Sequence, residues 1–296
     1  MSSSDADFQL SELFSVKNKI ALITGGGSGI GLMAAQALAV NGAKVYIVGR
    51  TERKLKTVVN THGRDIEGQI IALSGDVSNK DGIKLLVKAI EARERYLHIL
   101  INNAGIWSAA HSPGGESAEE MKNRLFEPKD ATFEEWARLY CTNTAAHYFM
   151  TTGFLSLLHR GSEQEHGYSS TVINISSTSG MINSSENHFP AGTCKAGTIQ
   201  LAKVLASEMA KAGLKIRVNS IAPGIFPSEI TTKTSNAQTQ KSELPEDYAL
   251  TRDIAAGRPG NDGDMANAIL FLATNQYING QVIAVDGGYL LKHGSL

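Results

Sequence analysis

Two cysteines in 296 residues, Cys141 and Cys194, are too few for a disulfide framework, and a reducing compartment fits the chain. Both fall in helical or pre-helical stretches and read as small buried side chains. Charge of one sign is also lacking. The formal net charge is −1 with no long basic run, which excludes nucleic acid and anionic membrane as expected partners. No apolar run approaches the ~20 residues of a membrane span. The segment Met1–Phe8 is polar and acidic rather than basic and then apolar, so no signal peptide is expected and the location predicted is cytoplasmic. There is no metal-ligand pattern. Charged residues, at 19%, are too sparse for a disordered chain, while 42% apolar residues suffice for a large core.

What is present is alternation. Short β-branched runs at 19–24, 44–48, 69–73, 98–102, 171–176, 215–220 and 281–285 read as strands. Helical patterns lie between them at 29–41, from about 51, and at 80–95, 134–157, 195–212 and 263–274. Such alternation predicts an α/β fold, one doubly wound Rossmann-type domain of about seven parallel strands with helices on both faces. No linker or internal repeat divides residues 1–296. Residues 1–16 form an N-terminal extension. Two polar stretches break the rhythm after strand ends, where open α/β sheets bind ligands. Residues 106–131 read as an insertion, and residues 225–262 as a substrate-covering lid.

The first strand runs into Thr24-Gly-Gly-Gly-Ser-Gly-Ile-Gly31, with glycines spaced Gly25-x-x-x-Gly29-x-Gly31. A glycine turn between strand and helix lets backbone N–H groups approach a pyrophosphate at the positive helix N-terminus, which selects Gly25, Ser28, Gly29, Ile30 and Gly31. The second strand ends in Gly49-Arg50. Glycine offers no carboxylate to a ribose 2′-hydroxyl, whereas Arg50 is suited to clamp a 2′-phosphate, so NADP(H) is the expected cofactor. Arg53 and Lys54 read as solvated helix-start residues.

These glycines, with Asp76-Val77, Asn102-Asn103-Ala104-Gly105 and Pro223-Gly224 in the same order, resemble the motifs of the short-chain dehydrogenase/reductase family from about residue 17 to 290. The resemblance implies that Asp76 contacts the adenine amine and Val77 the ring face. It places Asn103, Ala104 and Gly105 beneath the adenosine ribose, and Pro223, Gly224 and Ile225 beside the nicotinamide. Ser228 is then set to reach the carboxamide or the phosphates. Residues 8–14 and 278–288 resemble a branch of fungal reductases near the rhamnolipid-type β-ketoacyl reductases.

Active members of that family use Asn, Ser, Tyr and Lys, with the last two spaced Tyr-x-x-x-Lys. Asn143, Ser177 and Lys195 match three of them, Ser176 being the alternative serine whose side chain is expected to face the other way. The fourth position holds Ala191, which can neither donate a proton nor become an oxyanion. Two readings follow. The chain is an NADP(H)-dependent ketone or β-keto reductase inactivated by a Tyr-to-Ala exchange, the favoured one, or a natural member with other chemistry. The second class includes a non-redox NADP-binding sensor or scaffold, and a cyclase or isomerase using the same pocket. His188, Tyr140 and Tyr148 are the available substitute proton donors. The expected partners are a small-molecule ketone or alcohol and further copies of the chain. The family resemblance implies a tetramer or dimer packed through the helices at 134–157 and 195–212.

Overall fold

A computed structural model describes residues 5–245, 248 and 253–294. Seven strands, β1 (Ile20–Thr24), β2 (Lys44–Gly49), β3 (Gln69–Ser74), β4 (Ile99–Asn102), β5 (Ser170–Ile175), β6 (Ile216–Pro223) and β7 (Val282–Val285), form one sheet in the order β3-β2-β1-β4-β5-β6-β7. Every pairing is parallel.

Strand side chains alternate faces, and here the alternation feeds two separate cores. Ala21, Ile23, Val45, Ile47, Ile99, Ile101, Ile173 and Ile175 point to one, packed with Leu32, Leu38, Ile269 and Leu272 from the helices Gly29–Val40 and Asp262–Thr274. Ile20, Leu22, Tyr46, Val48, Leu100 and Val172 point to the other, against Leu86, Ile90, Met150, Leu157, Leu205 and Met209. A one-residue slip of β1 would exchange its two faces, and each fully buried aliphatic chain is worth roughly 1.5–3 kcal/mol relative to exposure. Register is therefore set from both sides of the sheet.

Two helices differ from their sequence reading. The segment expected as one helix over 134–157 is broken into Phe133–Tyr140, a π-type turn Cys141–Ala145, Ala146–Gly153 and Leu155–Ser162. The extra residue in the turn coincides with Asn143, whose side chain is drawn out of the helix toward Ile106. Cys141, expected to be buried, lies on the exposed side of that turn, while Cys194 is buried. The helix expected from residue 195 begins six residues earlier, at Phe189. Pro190 sits in its first turn, where the missing N–H has no intrahelical partner to lose.

The strand order reverses between β1, which leads to β2 and β3, and β4, which leads to β5, β6 and β7. That reversal opens a crevice at the carboxyl ends of β1 and β4, the place where open parallel sheets hold ligands. From the stretch 225–262, read as a lid, Ile225, Phe226, Glu229, Lys233 and Tyr248 are among the residues that line the crevice, while 246–247 and 249–252 lie outside the described residues. Gly260 donates its N–H to the Ile225 carbonyl at 2.9 Å and closes the base of this segment. A Cβ on Gly260 would fall 2.3 Å from the Phe226 ring. The 106–131 stretch starts on the crevice wall and carries a surface helix, Ala118–Leu125, with Ser117 as its cap. Of the N-terminal extension, Val16 is buried in the core, whereas Phe8, Leu10 and Leu13 are exposed. Among the described residues no helix is long and apolar enough to cross a membrane.

Candidate active site

The crevice is a cleft of about 960 Å³. At its floor, Gly25 has φ +67° and Gly29 φ +53°, left-handed conformations that glycine adopts without steric cost. Gly31 does not line the cleft. A Cβ there would meet the Gly25 carbonyl oxygen at 2.2 Å, so its role is to bring the helix Gly29–Val40 close under the turn. Thr24 braces the arrangement, its Oγ1 accepting from the N–H groups of Asn103 and Ala104 at 2.9 and 3.0 Å. Asn103 Nδ2 donates to the carbonyls of Thr24 and Gly25 at 2.9 and 3.1 Å. The side chain of Asn103 is thus committed to holding the glycine turn in shape.

The helix N-terminus already faces an anion, one of the chain's own. Glu229 accepts at Oε2 from Ser28 Oγ at 3.3 Å, and at Oε1 from Lys54 Nζ at 2.5 Å and Ser235 Oγ at 2.6 Å. Burial works against its charge, but Lys54 and Ser235 outweigh that and keep its carboxyl below the ordinary range. Lys54 is accordingly no solvated helix-start residue but a half-buried ion-pair partner, and it lines the cleft, unlike exposed Arg53. Arg50 is exposed at the end of β2 and also lines the cleft. Asp76 accepts from the Ser78 N–H at 2.9 Å and from Asn79 Nδ2 at 3.3 Å. The Ser78 N–H chiefly, with a smaller contribution from Arg50, holds its carboxyl below the usual range.

At the other end, Ser177 and Lys195 line the cleft with Val77, Ala104, Gly105, Pro223, Gly224, Ile225 and Ser228. Ser177 Oγ accepts from the Ser179 N–H at 3.1 Å. Ser176 also borders the cleft but is buried, and its hydroxyl is turned to the Ile221 carbonyl, to which it donates at 2.8 Å. Lys195 is 5% exposed, and Nζ donates to the Ile175 carbonyl at 2.9 Å. Burial lowers its pKa to about 8. Asn143 is fully buried and away from the cleft surface: its Oδ1 accepts from the Ile106 N–H at 2.8 Å and its Nδ2 donates to the Ile106 carbonyl at 2.9 Å. Both amide positions are used to fix the chain that follows Gly105.

Ala191 has no exposed surface and does not line the cleft. It packs with Leu139 and Cys194, and Ile106 and Trp107 close over the group. Trp107 stacks at a tilt on His188, ring centres 5.3 Å apart, and both rings face the cleft. Tyr140 and Tyr148 lie elsewhere, half exposed on outer helix surfaces. Trp107, Ser108 and Glu229 were not singled out from sequence. For Glu229 the only available signal was its place beside Ser228, and an acidic residue on a polar loop ordinarily reads as solvated.

The model of the short chain dehydrogenase family matches residues 19–239, and the chain belongs to this oxidoreductase family. It is 35% identical over 284 residues to the short-chain dehydrogenase/reductase PhomF of Diaporthe leptostromiformis, covering 94% of each chain. It is 33% identical to the rhamnolipids biosynthesis 3-oxoacyl-[acyl-carrier-protein] reductase of Pseudomonas aeruginosa, covering 94% of this chain and 98% of that one. Among solved structures, the Pseudomonas aeruginosa RhlG/NADP active-site complex aligns with TM-score 0.76 at 30% identity, covering 94% of this chain and 98% of that one.

Proposed function

We propose that the chain is an NADP(H)-dependent carbonyl reductase of ketone or β-keto substrates in which the proton-donating phenol is replaced by Ala191. One observation carries the reading: a single cleft joins the glycine turn, Arg50, Ser177 and Lys195. The nucleotide fits the residues present. The glycine turn offers an anion site at a helix N-terminus, and the Glu229 carboxylate held beside it by Ser28 and Lys54 supports that reading. Arg50 lines the cleft from the end of β2, which supports its pairing with a 2′-phosphate. When bound, the dihydronicotinamide supplies a hydride. Ser177 presents a hydroxyl to the substrate oxygen, and Lys195 brings a positive charge that favours the developing alkoxide and holds the ribose. The similarity to a 3-oxoacyl reductase, whose structure holds NADP, supports this assignment.

The test is Ala191→Tyr. A positioned acid/base is worth ~10²–10⁴ in rate, about 2.7–5.4 kcal/mol of barrier. Steady-state NADPH oxidation with a ketone panel should rise by that order, while the NADPH dissociation constant should change little. A tyrosine variant that, like the unaltered chain, binds NADPH but reduces no ketone would favour the second reading. In that reading the chain is a non-redox NADP-binding sensor or scaffold, or a cyclase or isomerase. The observation on its side is that Trp107 and Ile106 already close over Ala191. A homo-oligomer belongs to the same proposal. It is supported by the exposed apolar side chains Trp136, Tyr140, Phe149 and Val204 on the two helical stretches named for it.

A further inference from the structure

We propose that His188 is the proton-transfer residue of this cleft, acting through Nε2 in place of the absent phenol. The inference rests on the carbonyl-reductase reading and adds to it the group that completes the alcohol. Of the three substitute donors compatible with the sequence, only His188 lines the cleft. It is the residue immediately before the helix Phe189–Lys211, less than one turn from Ala191.

Its tautomer follows from its neighbours. Nδ1 lies 3.2 Å from the Ala109 carbonyl oxygen and 3.1 Å from Ser108 Oγ. A carbonyl only accepts, so Nδ1 carries a hydrogen and Nε2 carries the lone pair of the neutral ring. That assignment excludes an activated Ser108–His188 nucleophile, because Nδ1 has no lone pair with which to take the serine proton. Among the described residues no hydrogen bond involves Nε2. The Trp107 ring, 5.3 Å away, fixes the imidazole plane from one side.

The step balances. In reduction, the carbonyl π bond breaks as hydride from a bound dihydronicotinamide forms the new C–H bond and the nicotinamide is oxidised. The oxygen takes the Nε2 proton of the imidazolium, which returns to imidazole and is recharged from solvent. In oxidation, neutral Nε2 accepts the alcohol proton. Among the charged groups around the ring, Lys233 from the covering segment disfavours the imidazolium and Glu186 favours it, while Glu186 also accepts from the Tyr289 hydroxyl. His111, paired with Asp130 at 3.0 Å, donates its backbone N–H to the Asn187 carbonyl of the same loop. Burial is the largest influence and lowers the His188 pKa below 6.5. The acid form is therefore the minor one at neutral pH, and reduction should accelerate as pH falls toward 6.

Three measurements test this. Nitrogen NMR of the cofactor-free protein should show His188 protonated at Nδ1 and bare at Nε2, titrating below pH 6.5. His188→Gln should lower ketone reduction by about 10²-fold and abolish the acid-side rise, with NADPH affinity within about twofold and an unchanged melting temperature. In the Ala191→Tyr background the same change should cost little. The opposite tautomer, a His188→Gln variant with undiminished rate, or a rate flat from pH 5 to 8 would overturn the proposal. So would a chain inert toward every ketone beside an active Ala191→Tyr variant, an outcome that leaves the reductase reading standing. If both proteins bind NADPH and neither reduces any ketone, the reductase reading fails and the role of His188 with it.

Discussion

Nucleotide preference tests the cofactor end of the cleft. Arg50 is exposed and free of any ion pair among the described residues, whereas Lys54 is already held by Glu229 at 2.5 Å. A charge-assisted hydrogen bond is worth about 1.5–3 kcal/mol. Because Arg50 is solvated, the lower half of that range applies, and 1.4 kcal/mol is tenfold in affinity. Intrinsic fluorescence or calorimetric titration should therefore find NADPH bound at least ten times more tightly than NADH. Arg50→Ala should remove most of the difference without weakening NADH. The preference should shrink as salt rises past about 0.15 M, where screening acts within about 8 Å. The same titration reads Glu229. Its carboxylate accepts from the hydroxyl of Ser28, the residue that precedes the helix Gly29–Val40, so it competes with and repels a pyrophosphate bound there. Glu229→Gln should tighten both nucleotides about three- to tenfold, a modest gain because the group is partly solvated. Equal dissociation constants for NADPH and NADH in the unaltered chain would falsify the Arg50 assignment, and an unchanged or weaker Glu229→Gln would remove the competition argument.

Two further outcomes concern stability and assembly. His98 accepts the Ile20 N–H at Nδ1 at 2.9 Å, and burial, aided by Lys19, lowers its pKa from 6.5 to about 4. The unfolded chain binds the extra proton between those values, so stability should fall by about 3 kcal/mol as pH drops from 6.5 toward 4, and urea melts of His98→Gln should lose most of that slope. His147, pushed by its burial to about 3, extends the same trend to lower pH. Light scattering at micromolar concentration should give a mass above one chain, and a monomer mass would remove the oligomer proposal.

The strands were legible because continuous β-branched runs have few other uses; their register shows only in the structure, where β1 to β6 feed two cores. Arg50 and Ser177 could be nominated from sequence because each follows a strand end within a motif whose spacing is local, whereas Lys195, expected to open its helix, lies in the second turn of Phe189–Lys211. The break at Cys141–Ala145 was not, since it follows from Asn143 reaching Ile106 across 37 positions of sequence. The Glu229 contact was hidden for the same reason: it joins residues 54 and 229, and nothing local marks a carboxylate as an anion-site occupant. Trp107 illustrates a different limit. Composition shows an aromatic in a loop, but only packing shows that it lies against Leu139, Ala191 and Cys194.

Lys195 separates nucleotide binding from proton transfer. A buried ammonium whose one hydrogen bond among the described residues goes to the Ile175 carbonyl is a destabilising element. Its pKa is lowered by burial from 10.5 to about 8, so the unfolded chain binds more protons between those values and stability rises with pH across that window. Below pH 8 the penalty is fully present, on the order of 3 kcal/mol. Lys195→Met should therefore raise cofactor-free stability at pH 7 by up to that amount, with a smaller gain at pH 9.5, as read by urea unfolding at the two values. The same variant should bind NADPH more weakly, because the ammonium that would hold the ribose is gone. A buried lysine that costs stability in the cofactor-free chain is explained if the ribose is what it serves. If Lys195→Met is less stable at pH 7 and binds NADPH as tightly as before, the side chain is a packing element, and the cleft loses its strongest argument for a nucleotide at the Ser177 end.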